Sequence, residues 1–276
     1  MVRKMRIELK KNEFEKLLER VEMKGKYYDG DKAKNGVLSN HAYMYIDNKI
    51  DTDRLVVING DNTTACVVMS SDVIEEIIET RRDTTCVLDI NKLTRYLKPF
   101  GDTVFLTVTS FVELDDGDSK AALPIVIEHP GIAMVNLLKD RQHNIIQPLR
   151  EENYVLGTAG NLPSFGKIQY DNGVKIPVAE LREAIKGCDI TNLARYEFIF
   201  DGEILTLKSE RGRNDSYSVE ITVTDCVGDG ANVEFTGNIT KFLGDDNEIY
   251  LYLKDDSPLL VATSDSLLVK APYLRR

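Results

Sequence analysis

The sequence lacks the residue patterns that mark metal centres and redox sites. It has only three histidines, and none of them stands in an HExxH or related spacing. The four cysteines, Cys66, Cys86, Cys188 and Cys226, lie far apart within or beside apolar runs, and no CxxC pair occurs. We therefore predict no metal ion and no cofactor, and we predict that the cysteines are buried free thiols.

The motifs of common enzyme classes are also missing. The segment "GTAGNLPSFG", residues 157–166, contains glycines but lacks the GK[ST] ending and the strand–helix context of a phosphate-binding loop. The acidic clusters at 115–118 and 245–246 fall in predicted turns, where carboxylates are usually solvated. An enzyme is therefore the less favoured class, and we predict no catalytic residue.

No apolar run approaches the length of a membrane span, and the start "MVRKMRIELKK" lacks the apolar core of a signal peptide. We therefore expect an intracellular protein without a membrane partner. The net charge is −10, and by itself this charge argues against nucleic acid as a partner, because affinity for phosphate comes from basic surface. Net charge averages over the surface, however, so the positions of the 35 Lys and Arg residues matter more.

One order of elements occurs four times: a strand, a short amphipathic helix, and then further strands. The four strand–helix pairs are "RIELK" with "KNEFEKLLERVEM", "TCVLDI" with "NKLTRYLKPF", "GVKIP" with "VAELREAIKGCD", and "ANVEFTG" with "NITKFLGD". The pattern predicts two domains of similar build, residues 1–138 and 174–276, joined by a long connecting loop at 139–173. Residues 71–83 are open to interpretation as a further short helix.

The predicted helices place cations on their solvent faces, whereas the predicted loops carry acids such as "ELDDGD". On the second helix, Lys92, Arg95 and Lys98 all point away from the apolar face, with no acid among them. Exposed helix faces need charge in any soluble protein, and this is the simpler interpretation for a single helix. The same tendency in all four helices favours a shared basic surface.

The order of these units and several local strings resemble the sliding clamps of the proliferating cell nuclear antigen (PCNA) type. The strings are "GVLSNHAYMYI", "VLDINKLTRYLKPFGDTVFLTV", "VKIPVAELREAIKGCD", "DDSPLLV" and the near-terminal "PYL". The resemblance implies an α+β chain of two similar clamp domains, each with two helix-plus-antiparallel-sheet units. Chains of this type close head to tail into a homotrimeric ring, with helices lining the hole.

The resemblance also implies a function in DNA replication and repair. Duplex DNA would pass through the ring and be touched only at its phosphates, while the ring tethers a DNA polymerase and a nuclease or ligase, with a clamp loader to open it. The location would be the cytoplasm of a prokaryote, or the nucleus or replication site of a host cell. The cations that the resemblance places against DNA are Lys11, Lys16, Arg20, Lys92, Arg95, Lys98, Arg182, Lys186 and Lys241.

Two further surfaces follow from the resemblance. Partner proteins would insert a short peptide into an apolar pocket that includes the "APYLRR" tail, whose aromatic residue and leucine are unusual in an unsupported terminus. The pocket residues would be His41, Ala42, Met44, Phe165, Gly166, Ile168, Pro258, Tyr273 and Leu274.

Neighbouring chains of the ring would pair through two exposed edge strands, "ALPIVIEH" and "DSYSVEITVTD". Pro124 limits the first, because proline has no N–H to donate. The interface residues would be Ile125, Val126, Ile127, Tyr217, Val219 and Ile221. An alternative within the same fold is an accessory or decoy protein that binds clamp partners or clamp subunits without encircling DNA.

Overall fold

The computed structural model forms two compact units. The first comprises described residues of Met1–Met23, Ser39–Gly60 and Val67–His143, and the second those of Lys24–Leu38, Asp61–Cys66 and Asn144–Arg276. The residues that the structure describes are 2–29, 32–39, 41–47, 53–60, 64–80, 86–111, 124–128, 132–136, 162–165, 167–191, 195–211 and 215–273. The predicted connecting loop lies outside them as far as residue 161, so its boundaries stay a prediction.

In the described residues, three α-helices form where the sequence has its 3.6-residue apolar period: α1 (Lys11–Val21), α2 (Ile90–Leu97) and α3 (Val178–Thr191). The apolar face of each helix is buried, as in α1, where Phe14, Leu17, Leu18 and Val21 are enclosed. Helix α2 begins at a side-chain cap, because the Asp89 carboxylate accepts a hydrogen bond from the backbone N–H of Lys92 at 3.0 Å. No helix among the described residues is long and apolar enough to span a membrane.

Strands make up most of the rest of the chain. In the N-terminal half they are β1 (Val2–Lys10), β2 (Met23–Asp29), β3 (Lys32–Ser39), β4 (His41–Asp47), β5 (Arg54–Gly60), β6 (Thr64–Ser70), β7 (Ile74–Thr80), β8 (Cys86–Asp89), β9 (Thr103–Phe111), β10 (Pro124–Glu128) and β11 (Ile132–Asn136). In the C-terminal half they are β12 (Ser164–Phe165), β13 (Ile168–Gln169), β14 (Asn172–Pro177), β15 (Arg195–Phe200), β16 (Leu205–Arg211), β17 (Asp215–Ile221), β18 (Asp225–Val227), β19 (Ala231–Thr236), β20 (Glu248–Leu253), β21 (Leu259–Ala262) and β22 (Ser266–Lys270).

The first unit contains an antiparallel sheet in the order β11-β10-β9-β1-β7, and its strands β5, β4 and β8 are neighbours in another sheet. Strands β1 and β9 pair along their whole lengths, from Val2 opposite Phe111 to Lys10 opposite Thr103. Helix α1 lies against α2 and β5. The buried Asn59 amide of β5 donates to the carbonyl of Val21 at 2.8 Å. This bond satisfies a carbonyl at the C-terminal end of α1, where the helix itself supplies no N–H donor.

The second unit contains a four-stranded sheet in the order β17-β16-β15-β19 and a run of antiparallel neighbours in the order β18-β14-β20-β21-β22. Helix α3 packs on β16 and β17, with Leu181 and Ile185 fully buried. A hairpin at Asp201-Gly202, a dipeptide that is typical of tight turns, joins β15 to β16, and Gly202 has a φ of 100°, which glycine adopts without strain. The Asp201 carboxylate accepts the N–H groups of Ile204 and Glu203, and these bonds lower its pKa.

The predicted fourth helix is wrong. Residues 240–245 form turns, and the Asn238 side chain accepts the N–H of Thr240 at 2.7 Å at their start. Gly237 and Gly244 both have positive φ values, 91° and 59°, so the segment is bounded by conformations that do not continue a helix. So short a segment cannot offset the cost of helix nucleation.

Two further sequence predictions differ from the structure. Residues Ile74–Thr80 form strand β7, because their β-branched side chains suit a pleated surface better than a helix. Cys66 and Cys188 are buried free thiols as predicted, but Cys226 is exposed on the short strand β18. The other two residues of this strand, Asp225 and Val227, are also exposed, so the strand has no buried face.

The predicted edge strand "ALPIVIEH" is not an edge. Strand β10 pairs with β9 on one side and with β11 on the other, from Pro124 opposite Asn136 to Glu128 opposite Ile132. At this end of the sheet the outermost described strand is β11, because the chain folds back on β10 and covers its outer side. Pro124 occupies the first position of its strand, where a missing N–H is best tolerated.

Candidate nucleic-acid interface

Helix α2 and the residue after it carry a row of three cations that have no partner among the described residues. Lys92, Arg95 and Lys98 follow one another at intervals of three residues, and the last two are exposed while the first is half-buried. Across the described part of the chain, none of these three side chains makes a hydrogen bond or an ion pair. The row is therefore available to an anionic ligand.

The predicted cations of α1 are less available. Lys16 forms an ion pair with Glu13 at 2.9 Å, one turn before it on the same helix, and Arg20 is half-buried. The Lys11 ammonium donates to two backbone carbonyls at the end of α2, those of Lys98 at 3.3 Å and Phe100 at 3.0 Å. The solvent face of α1 carries acids as well as cations, and in the structure Glu13 neutralises the charge of Lys16.

The second unit divides its predicted cations in a similar way. Lys186 pairs with Glu183 at 2.6 Å on the exposed side of α3. The Arg182 guanidinium donates to the carbonyls of Thr240 at 3.1 Å and Gly244 at 2.6 Å. Lys241 is exposed on the turn that Arg182 holds, and it makes no ion pair with a described residue.

The predicted peptide pocket has members in both units. In the first, Ala42 and Met44 are fully buried in β4, so they present no surface to a partner. The backbone of His41 pairs with Asp89 at the end of the same strand. The His41 side chain and the residues Gly166 and Leu274 lie outside the described part of the chain. The role of this set as one pocket stays a prediction.

In the second unit, the end of the connecting segment is fastened to the β20–β21 turn. The Tyr170 hydroxyl donates to the carbonyl of Pro258 at 2.5 Å, and burial raises the pKa of this phenol well above its ordinary value. The Lys254 ammonium donates to the Gln169 carbonyl at 2.9 Å and to the Asp171 carboxylate at 3.0 Å. The hairpin of β12 and β13, which carries the half-buried Phe165 and Ile168, is thereby fixed close to Pro258.

The described end of the tail is also held in place. The Tyr273 backbone N–H donates to the carbonyl of Glu234 at 2.7 Å, and Pro272 forms a bridge with Phe235 of β19. The Arg195 guanidinium lies 4.5 Å from the centre of the Tyr273 ring and forms an ion pair with the Glu234 carboxylate. These contacts explain how an aromatic residue is retained so near the end of the sequence, although 43% of Tyr273 remains exposed.

An apolar groove of about 650 Å³ lies between α3 and the edge strand β17. Tyr217 and Val219, both predicted interface residues, line it half-exposed, whereas Ile221 is buried at its end. Sequence reasoning missed two features of this groove. Ile190 is 87% exposed, and Gly187 leaves room for the Tyr217 ring, which a Cβ at this position would overlap.

The described residues contain no group of three His, Cys, Asp or Glu side chains that could bind a metal ion. Burial, with a smaller contribution from Asp189, raises the pKa of the Cys188 thiol to about 12, so this thiol is protonated and unreactive at neutral pH.

Comparison with known proteins identifies the fold. No sequence-family model matches the chain, and neither does any curated protein. The PCNA of Thermococcus kodakaraensis matches with a TM-score of 0.63 at 13% identity, over 98% of this chain and 100% of that one. The PCNA of A. fulgidus, solved with the C-terminal region of FEN-1 bound, gives 0.65 at 13% identity over 99% of both chains.

A bacterial clamp is similar over the same part of this chain. The beta sliding clamp of C. crescentus matches with a TM-score of 0.69 at 13% identity, over 98% of this chain and 66% of that one. The chain thus spans just under two thirds of the bacterial protein. At these identities the likeness establishes the fold, and the prediction of an α+β sliding-clamp fold is confirmed.

The hydrogen bond between the Tyr170 hydroxyl and the Pro258 carbonyl, which anchors the end of the connecting segment, can be tested by mutation. We expect Tyr170→Phe to lower the free energy of unfolding by about 1 kcal/mol, because the Pro258 carbonyl loses its donor in a buried setting. Urea titration measures this difference. Tyr250→Phe is the matched control, since the Tyr250 hydroxyl makes no hydrogen bond to a described residue. Equal losses in the two variants would show that the Tyr170 bond contributes nothing.

Proposed function

From the sliding-clamp fold of this chain, we propose that the protein is a DNA sliding clamp and polymerase processivity factor. It consists of two clamp domains, residues 1–138 and 174–276, joined by the connecting loop 139–173. Three copies close into a ring around duplex DNA and tether replication and repair proteins. The protein has no catalytic activity of its own, and it acts inside the cell where DNA is copied.

The observation that carries this proposal is the row of unpartnered cations on α2. A chain of net charge −10 repels a polyanion over most of its surface, so it must gather its available cations where DNA passes. Lys92, Arg95 and Lys98 provide such a place, and Lys241 provides a smaller one. Contacts of this kind reach phosphates and carry no sequence information, so the protein can slide.

Ring closure is supported by the edge of the second unit. Strand β17 has no described strand on its outer side, and the groove beside it exposes Ile190, Tyr217 and Val219. An unpaired edge next to apolar surface favours pairing with another chain. We propose that its partner is β11 of the neighbouring copy, which replaces the predicted β10 because β11 is the open edge. Such head-to-tail contacts close into a ring when the rotation between neighbours divides a circle.

We propose three copies, because the resemblance to PCNA-type clamps implies a homotrimeric ring and this chain covers the whole length of the PCNA of Thermococcus kodakaraensis. The partners that we propose are a DNA polymerase, a clamp loader, and a nuclease or ligase with clamp-binding peptides. The A. fulgidus neighbour, with its bound FEN-1 segment, supports this type of partner. In the second unit, the residues available for a peptide are Phe165, Ile168, Pro258 and Tyr273, each at least partly exposed.

At the groove beside α3, we predict that a single substitution weakens assembly of the chains without destabilising the fold of each chain. We expect the parent chain to have three times its 31.1 kDa mass in solution, and we expect Gly187→Ala to raise the dissociation constant of this assembly about tenfold. The added methyl group displaces the Tyr217 ring from the edge, while alanine stabilises the helix itself. Light scattering across protein concentrations measures the effect.

Gly101→Ala is the control, because a Cβ at that position meets nothing within 4 Å. An unchanged assembly in Gly187→Ala would contradict the proposed interface. A parent that stays at the mass of one chain would instead favour the accessory or decoy function, in which the protein binds clamp partners without encircling DNA by itself.

The α2 cations predict a change in salt dependence. We expect each of Lys92→Met, Arg95→Met and Lys98→Met to reduce the slope of log affinity against log salt by about 0.9, because each removes one phosphate contact. Fluorescence anisotropy with a labelled duplex at several salt concentrations measures the slope. Lys167→Met, which removes an exposed cation from the connecting segment, is the control. Slopes equal to that of the parent would exclude α2 from the DNA-facing surface.

A further inference from the structure

Two of the cations that sequence reasoning placed against DNA point at the protein's own backbone. The Lys11 ammonium, at the start of α1, donates to the carbonyls of Lys98 and Phe100, 87 and 89 residues away. The backbone N–H of Lys11 donates to the carbonyl of Asp102 at 2.8 Å. Lys11 of the first helix therefore donates hydrogen bonds to three backbone carbonyls in the segment that follows the second helix.

Arg182 makes the corresponding contact in the second unit. It stands on α3, the first helix of that unit, and its Nη1 and Nη2 atoms bind the carbonyls of Thr240 and Gly244. These two carbonyls lie at opposite ends of the turn that replaces the predicted fourth helix. Because one planar guanidinium holds both ends, it fixes the length and the orientation of the turn.

Both contacts join a cation to backbone carbonyls. The carbonyls that follow α2 stand at the negative end of its dipole, so the Lys11 ammonium gains charge-assisted hydrogen bonds as well as a favourable interaction with the dipole. Residues 240–245 form a turn rather than a helix, so Arg182 gains the charge-assisted hydrogen bonds alone. In each unit the donor stands on the first helix, and the acceptors belong to the element that carries the unpartnered cations.

We propose that Lys11 and Arg182 are positioning residues rather than phosphate contacts. Lys11 holds the end of α2 and thereby orients Lys92, Arg95 and Lys98, and Arg182 holds the 240–244 turn and thereby orients Lys241. This inference rests on the proposed function for the statement that the oriented cations face DNA. The hydrogen bonds themselves are independent of that function.

The geometry separates these residues from the cations that they orient. Two of the three N–H donors of Lys11, and one N–H on each terminal nitrogen of Arg182, are engaged with carbonyls, so only the remaining donors are available to a phosphate. The cations Lys98 and Lys241, by contrast, make no side-chain bond to any residue in the described segments. The backbone carbonyl of Lys98 itself receives one of the contacts, and Lys241 follows Thr240, whose carbonyl receives another, so the two cations provide matched comparisons.

Hydrogen exchange and DNA binding together test the proposal, with Lys11→Met compared with Lys98→Met and Arg182→Met with Lys241→Met. We expect Lys11→Met to speed amide exchange about tenfold at residues 97–102, and Arg182→Met to do so at 240–245, because each loses charge-assisted bonds. Strands β15 and β16 are the reference for intact folding. Lys98→Met and Lys241→Met remove the same charge but leave the carbonyl acceptors bound, so exchange stays at the parent rate.

The salt slope of DNA binding should distinguish the same two pairs of variants, but with the change in Lys98→Met and Lys241→Met. Lys98→Met and Lys241→Met should each lower the salt slope by about 0.9. Lys11→Met and Arg182→Met should weaken binding with the slope unchanged, and Lys11→Arg, which keeps donors and charge, should restore both exchange and binding. Parent-like exchange in Lys11→Met and Arg182→Met, with a reduced slope, would overturn the proposal. If the parent itself does not bind DNA, the proposed function fails, and exchange alone decides whether the two residues hold these elements.

Discussion

Coulomb repulsion between DNA and a strongly acidic chain is the constraint on which the rest of the account depends. With a net charge of −10, the protein can approach a polyanion only where cations are concentrated and not neutralised by neighbouring acids. In the structure, the helix cations differ in whether a neighbouring acid neutralises them. Lys16 and Lys186 are each paired with a glutamate one turn earlier, whereas the α2 row is not. Weak local attraction of this type would not hold DNA firmly, so the proposed function depends on enclosure of the duplex by a ring.

Enclosure depends in turn on sheet edges. An exposed edge strand is a hazard for a monomer, and the groove beside β17 adds apolar surface to that hazard. Pairing between copies removes both problems at once, because it satisfies the backbone groups of the edge and buries Ile190 and Tyr217. In the proposed function these two features act together. The cation row contacts the duplex, and the paired edges close the ring that keeps the protein on it.

The sequence predicts the elements whose signals are local. Helices α1, α2 and α3 follow from apolar residues at helical spacing, and the hairpin at Asp201-Gly202 follows from its turn dipeptide. Ile239, Phe242 and Leu243 have the same helical spacing, yet the flanking glycines adopt conformations that end a helix. Features that depend on distant residues left no local signal. Strand β11 covers β10 only after the chain returns, and the roles of Lys11 and Arg182 depend on carbonyls dozens of residues away.

The most direct test of the central claim is whether the protein is linked topologically to DNA. The purified protein is allowed to thread onto a duplex that is immobilised at one end, the free end is then blocked, and the DNA is washed with about 1 M salt, which screens phosphate contacts. The account predicts that protein loaded before blocking stays bound through the wash and is released when a restriction enzyme cuts the DNA. Complete elution by salt, with or without a blocked end, would contradict encirclement.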